Sequence, residues 1–265
     1  PPRSTLDRSS AASDVYKRQH YDHLRTSLML EPRGHSDMYG AIIVEPNSAQ
    51  ADFGVIFLHN EGYSTGCGHA VLGLTKTFVE TGLIKSMGQT TDVVMDVPSG
   101  MVHAEALSEN GNVTGARFRN VPSFVQCLDH EVDVTDYGTI KYDLAFGGAF
   151  YVFVNVSEIG MDASPEQSAS LISAGMAIRK AVAEAVEMDH PNEPEMNHLY
   201  GTIFVADTNQ AEVHSRHVCI FADGQIDRCP TGTGVSARLA ILHERGEATI
   251  NQTLTMDSII VTTFS

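Results

Sequence analysis

Two mixed α/β halves, each built around one helix, are what this chain of 265 residues predicts: an α+β fold with internal pseudo-symmetry. Ser64-Thr65-Gly66-Cys67-Gly68-His69-Ala70 opens one helical pattern. Asp227-Arg228-Cys229-Pro230-Thr231-Gly232-Thr233-Gly234 opens another, with Cys67 and Thr231 standing 164 positions apart. Ala70, Val71, Leu74, Phe78 and Val79 recur at helical spacing after the first, and Val235, Leu239 and Leu242 after the second. Gly82 and Gly246 supply the stops, since glycine takes the left-handed conformation that ends a helix without penalty. Short β-branched stretches flank both helices, so the halves read as a diverged duplication in architecture more than in identity.

Taken in order, residues 1–19 stand apart. They are rich in Ser, Arg and Asp, have no sustained apolar period, and read as a non-native or disordered tail rather than a signal peptide. The first half is expected over 20–126. It begins with Leu24, Leu28 and Leu30 on a short helix that Pro32 ends. Strands follow over 41–44 and 53–59, the second leading into the Cys67 helix. Further strands over 92–97, 101–107 and 113–119 are separated by Pro98-Ser99-Gly100 and by Glu109-Asn110-Gly111, the latter a strong hairpin signal. Val121-Pro122-Ser123-Phe124 is the expected crossover. The second half, 127–265, should carry strands over 131–134, 139–145 and 149–156. A long helix then runs to about 188, with Ser164 as cap, Pro165 at its first position and Gln167 closing the box. Strands over 201–206 and 217–222 precede the Thr231 helix, and β-branched residues over 249–264 close the chain.

A formal net charge of −16 argues against nucleic acid or an anionic membrane as partner. No apolar run approaches the roughly 18 residues of a membrane span. Cys67, Cys127, Cys219 and Cys229 lie far apart without CxxC spacing, which points to neither a zinc site nor a disulfide framework. A reducing, cytoplasmic setting suits a free thiol.

The first N–H groups of a helix have no partner within it and carry partial positive charge. Glycines there let a ligand approach the main chain. Two such starts facing each other would hold one small anion, such as a carboxylate, between them. The first start carries a thiol, which a helix N-terminus makes readily ionised; the second carries a hydroxyl.

Arg33-Gly34-His35 with Asp37-Met38-Tyr39-Gly40, Cys67-Gly68-His69, Arg119-Asn120-Val121-Pro122-Ser123-Phe124, Gly147-Gly148-Ala149-Phe150-Tyr151 and the Asp227–Gly234 stretch together resemble the proline racemase family. The likeness spans roughly 20–265. It implies a diaminopimelate-epimerase-like fold and an enzyme that needs no cofactor or metal, with the substrate lying between the two helix starts. Strands that family members have before and after this stretch are missing, so the chain is expected to be truncated at both ends, with sheet edges exposed.

Racemases of the family carry cysteine at both starts, one removing the α-proton and the other returning it. Here the second position is Thr231, whose hydroxyl does not ionise near neutral pH. Cysteine first and threonine second resembles the trans-3-hydroxy-L-proline dehydratases. The resemblance implies Cys67 as general base, and the N–H groups of Gly68, His69, Gly232 and Thr233 on the carboxylate. It further implies Asp227 and the His69 side chain at the ring nitrogen, and Thr231 on the substrate or leaving hydroxyl. The partner is thus a small imino acid; a homodimer is the assembly to test.

Other readings stay open here. The chain could be a proline racemase or hydroxyproline 2-epimerase, or a non-catalytic imino-acid binding protein. Cys229 could stand in for the missing cysteine, although a displacement of two positions before Pro230 misplaces its side chain; a structural role suits it better. His35, His59 and Asp37 lack metal-ligand spacing and read as packing or turn residues. Gly147-Gly148 reads as a tight backbone approach between strands.

Overall fold

The computed structural model describes residues 22–265, and the tail expected over 1–19 lies outside them. The chain divides into two compact units, with the boundary between Val121 and Pro122.

The first unit opens with helix α1, residues 22–29. Leu24, Leu28 and Leu30 are exposed, and Arg25 and Met29 are buried instead. Hydrogen bonding explains the choice. The Arg25 guanidinium grips Asp22, at 2.6 and 3.0 Å, and donates to the carbonyls of His59, at 2.9 Å, and Asn60. It thereby satisfies backbone acceptors at the end of a core strand that a leucine could not. Met29 packs with Ile56, Leu58 and Tyr63.

The sheet of this unit runs β1 (Tyr39–Val44), β2 (Phe53–His59), β4 (Thr90–Val97), β5 (Gly100–Glu109), β6 (Asn112–Arg119), with the two-residue β3 (Tyr63–Ser64) on β2. Only β2 and β4 pair in parallel, so the sheet is mixed. β2 is buried throughout, whereas β5 alternates, burying Val102, Ala104 and Ala106 and turning His103 and Glu105 outward. Helix α2 (Gly68–Glu80) lies against β5 and β6, with Val71, Thr75 and Val79 buried. Asn110 and Gly111, at φ 52° and 81°, make the tight turn expected between β5 and β6.

The second unit carries β7 (Phe124–Val134), β8 (Gly138–Phe146), β9 (Phe150–Asn155), β10 (Leu199–Ala206), β11 (Ser215–Phe221), β13 (Met256–Ser258) and β14 (Thr263–Phe264), in the order β14-β13-β11-β10-β9-β8-β7. The short β12 (Gln225–Ile226) pairs with β11. The β9–β10 and β11–β13 pairs are parallel and the rest antiparallel. Two helices cover it, α3 (Ser168–Ala185) and α4 (Gly232–Glu244). They lie on opposite faces. Thr202 of β10 donates to the Gly175 carbonyl of α3 at 2.9 Å, while its neighbour Ile203 touches Gly234 of α4, and successive strand residues point oppositely.

Several expectations are corrected. Residues 165–167 form a 3₁₀ turn before α3, and Ser164 makes no side-chain cap; the Gln167 amide oxygen instead accepts from Asp162 N–H at 3.2 Å. Helix α3 ends at Ala185, short of 188. Leu239 is exposed at 37%, because the buried stripe of α4 runs through Ala237 and Ile241 to Leu242. The β-branched stretch 249–264 yields only β13 and β14, separated by a turn in which Ser258 accepts from the amides of Ile260 and Thr262. The close approach at Gly147 is to a helix. A Cβ there would lie 2.2 Å from the Thr233 carbonyl oxygen and 2.5 Å from the Ala237 nitrogen, so the β8–β9 turn presses directly on the first turns of α4.

Candidate active site

In the first unit, β3 delivers the chain to α2. Ser64 and Tyr63 pair with Phe57 and Leu58 of β2, and the Ser64 hydroxyl donates to the Gly66 carbonyl at 2.8 Å. The Ser99 amide donates to the Thr65 carbonyl at 3.0 Å, tying the turn after β4 to the same loop. Cys67 is the residue before α2, at φ −151° and ψ 104°, and its carbonyl accepts the first helical bond, from Val71 at 3.0 Å. Its half-buried thiol makes no bond into the first turn, and that turn holds no acidic side chain. The positive end of α2, at Gly68 and His69, is therefore not neutralised by its own first turn. All four cysteines are free of disulfides.

In the second unit, a set of hydrogen bonds holds the loop into α4. Asp227 N–H donates to the Cys219 carbonyl at 3.0 Å, and the Arg228 carbonyl accepts the Thr262 hydroxyl at 2.6 Å. The Asp227 carboxylate accepts from Cys229 N–H at 3.2 Å and from the Thr231 hydroxyl at 2.8 Å. Thr231 N–H in turn donates to the Cys229 sulfur at 3.2 Å. Cys229 is buried and serves the loop, in keeping with a structural role. Thr231 sits at φ 66° and ψ 99°, a region that a β-branched residue seldom adopts. Its side chain does not cap α4, whose first turn also lacks acidic residues.

Two residues beside this start were not singled out from the sequence. Tyr151 is buried, its hydroxyl 2.7 Å from Thr233 Oγ1, and burial holds its pKa well above the ordinary value. It follows Gly147-Gly148-Ala149-Phe150, and a tyrosine in an otherwise apolar strand is the signal that could have marked it. Cys219 is fully buried; burial, with the Asp227 charge adding to it, pushes the thiol up and keeps it protonated, opposed in part by a hydrogen bond with the Thr231 side chain. In an apolar strand it reads as one more small hydrophobe.

Each unit thus gathers its own set of expected residues: Cys67, Gly68 and His69 at the start of α2, and Asp227, Thr231, Gly232 and Thr233 at the start of α4. Neither first turn holds an acidic side chain or a side-chain cap, and helix amides of that kind suit a carboxylate. One adds a nucleophilic or basic sulfur, the other a hydroxyl tied to a carboxylate. Among the described residues no helix is long and apolar enough to cross a membrane.

The sequence matches the family described as proline racemase over residues 7–265, which takes in part of the tract set aside as a tail. A trans-3-hydroxy-L-proline dehydratase of Colwellia psychrerythraea is 48% identical over 248 residues, covering 94% of this chain and 70% of that protein. A 3-hydroxyproline 2-epimerase of Burkholderia multivorans is 39% identical, over 99% of this chain and 77% of that one. A crystal structure of a hydroxyproline epimerase from Agrobacterium vitis, with bound trans-4-hydroxy-L-proline, superposes with a TM-score of 0.91 at 27% identity, over 99% of this chain and 77% of that chain.

Proposed function

The chain belongs to the proline racemase family, and from that premise we infer that it is a hydro-lyase that dehydrates trans-3-hydroxy-L-proline to Δ1-pyrroline-2-carboxylate. The observation that carries the reading within the family is the pairing of Cys67 at the start of α2 with Thr231 at the start of α4. A racemase needs a base on one face of the α-carbon and an acid on the other. A dehydratase needs only one base.

The Cys67 thiolate takes the α-hydrogen as a proton, and the electron pair left on the α-carbon forms a double bond to C3. The C3–O bond breaks, and the hydroxyl departs with a proton as water. The resulting enamine tautomerises to the cyclic imine. The charge that develops on the carboxylate during proton removal is met by the amides of Gly68, His69, Gly232 and Thr233. Asp227 and His69 hold the ring nitrogen. These roles are supported by the uncapped first turns, the absence of acidic side chains in them, and the carboxylate–hydroxyl pair before α4.

The dehydratase reading is favoured over the 2-epimerase by Thr231, whose alcohol is too weak an acid to exchange protons with a carbanion at the rate a thiol does. Incubation with trans-3-hydroxy-L-proline should give an imine that o-aminobenzaldehyde traps. Inversion of L-proline or 4-hydroxyproline without imine would remove the reading, and binding without turnover would turn it into an imino-acid binding protein. The reading extends to a cytoplasmic enzyme, supported by four cysteines outside any disulfide, and to a homodimer, which sedimentation would test.

A further inference from the structure

The hydrogen bond between Thr231 and Asp227 has a direction, and that direction limits what the hydroxyl can do. A hydroxyl has one proton to donate and two lone pairs with which to accept. An ionised carboxylate only accepts. At 2.8 Å from Asp227 Oδ2, the Thr231 Oγ1 proton therefore points at the carboxylate. The other nearby polar groups reinforce this. Cys219, which burial keeps protonated, also bonds the Thr231 side chain, and as a neutral sulfur it is a far weaker acceptor for that proton than the Asp227 carboxylate. The Thr231 amide is directed elsewhere, to the Cys229 sulfur at 3.2 Å, and the second Asp227 oxygen is occupied by Cys229 N–H at 3.2 Å. These bonds hold a β-branched residue at φ 66°, where it would not stay unaided.

We propose that Asp227 is a positioning residue that makes the Thr231 hydroxyl an obligate hydrogen-bond acceptor, so that the α4 start receives a donor from the substrate and returns no proton to it. This rests on the dehydratase reading above and adds a role for Asp227 beside its contact with the ring nitrogen. The groups that can donate to Thr231 are the protonated ring nitrogen and the 3-hydroxyl. An imino acid presents these donors, and an analogue lacking them leaves a buried lone pair unpaired. Thr231 is also excluded as the acid for the departing hydroxyl. The thiol formed on Cys67 is the group that carries a newly acquired proton.

Asp227→Asn tests the direction of the bond. Cys229 N–H demands the amide oxygen, which leaves the Asn NH₂ facing Oγ1 and releases the Thr231 proton toward the substrate. Residues that act through one another are non-additive in a double-mutant cycle, whereas independent effects multiply. Asp227→Asn and Thr231→Val are each expected to lower kcat on trans-3-hydroxy-L-proline by roughly 10- to 100-fold, and the double variant to fall no more than about threefold below the worse single one. Thr231→Ser, which keeps the donor, should stay within about fivefold of wild type. Wild-type turnover with a double variant that loses the full product of the two factors overturns the inference and leaves the dehydratase reading standing. An inactive wild type overturns the reading itself, and the inference with it. If Asp227→Asn does not fold, as judged by circular dichroism, the Ser and Val variants carry the test: retention in Ser with loss in Val supports the proposal, and equal behaviour overturns it.

Discussion

Cys67 enters α2 with φ −151° and ψ 104°, ordinary extended backbone, whereas Thr231 enters α4 with φ 66° and ψ 99°. Both residues leave their helix uncapped by a side chain, and both helices lack acidic residues in the first turn. The two starts thus keep the same positive dipole end available by different means. Around Cys67 the loop is tied through backbone and serine contacts, from Ser64 to Gly66 and from Ser99 to Thr65. Around Thr231 the side chain itself is tied, to Asp227. A base has to give and take a proton, so its side chain has to be able to reach the substrate. A group that only accepts can be locked, and a strained backbone with a bonded hydroxyl is a way of locking it.

The largest test of this contrast is Cys67→Ser. Loss of the base should reduce kcat by roughly 10²–10⁴-fold with the circular dichroism spectrum unchanged. Activity surviving within tenfold would sink the assignment. Thr231→Cys comes next, because it makes the two starts alike. Burial and the Asp227 charge hold the neighbouring Cys219 thiol up, and a thiol at 231 beside the same carboxylate should also stay protonated, as the acid of an inversion must. Deuterium from solvent should then appear at the α-carbon of recovered substrate with inversion, where wild type gives none; NMR reads both.

A paired substitution sharpens the backbone side of the comparison. At 231, Gly should be more stable than Ala by about 1 kcal/mol or more, since both lack the hydroxyl and only Gly accepts the positive φ cheaply. At 67 the order should reverse, Ala exceeding Gly by about 0.5–1 kcal/mol, because the extended conformation suits any residue and Gly gains more freedom on unfolding. Denaturant melts of the four variants check the change of sign.

The smallest effect concerns the far end of the second helix. Arg245, just after α4, binds Asp129 at 2.9 and 3.1 Å and Asp143 at 2.7 Å, while the end of α2 has no basic residue in its last turn. Arg245 and then Lys141 hold the Asp129 carboxyl down at about 2, from an ordinary 3.8. A depressed carboxyl stabilises the fold above its unfolded pKa and loses that contribution as pH falls through the folded one. The gap in melting temperature between wild type and Arg245→Gln should therefore be present at pH 6, shrink below about pH 4 and close near pH 2. Asp129 is solvent-exposed, so the gap at pH 6 should be no more than a few degrees.

Most strands, both glycine-terminated helices and the two helix starts were legible in the residues, because their signals are local. Alternation over 101–107, Asn110-Gly111 between strands, and Gly82 and Gly246 after apolar runs depend on neighbours in sequence. The cysteine before one helix and the threonine before the other were legible for the same reason. The face of α1 was not. Leu24, Leu28 and Leu30 look like a core stripe, yet they point outward because Arg25 answers carbonyls at His59 and Asn60, more than thirty positions away. Nor could the residues alone show that Gly147 makes room for α4, that Tyr151 meets Thr233, or that the Thr231 proton is committed to Asp227. Local chemistry chooses the elements. Which side chain is buried, and where each hydroxyl proton points, is settled by buried polar groups finding partners in other elements, and folding brings those partners together from distant parts of the chain.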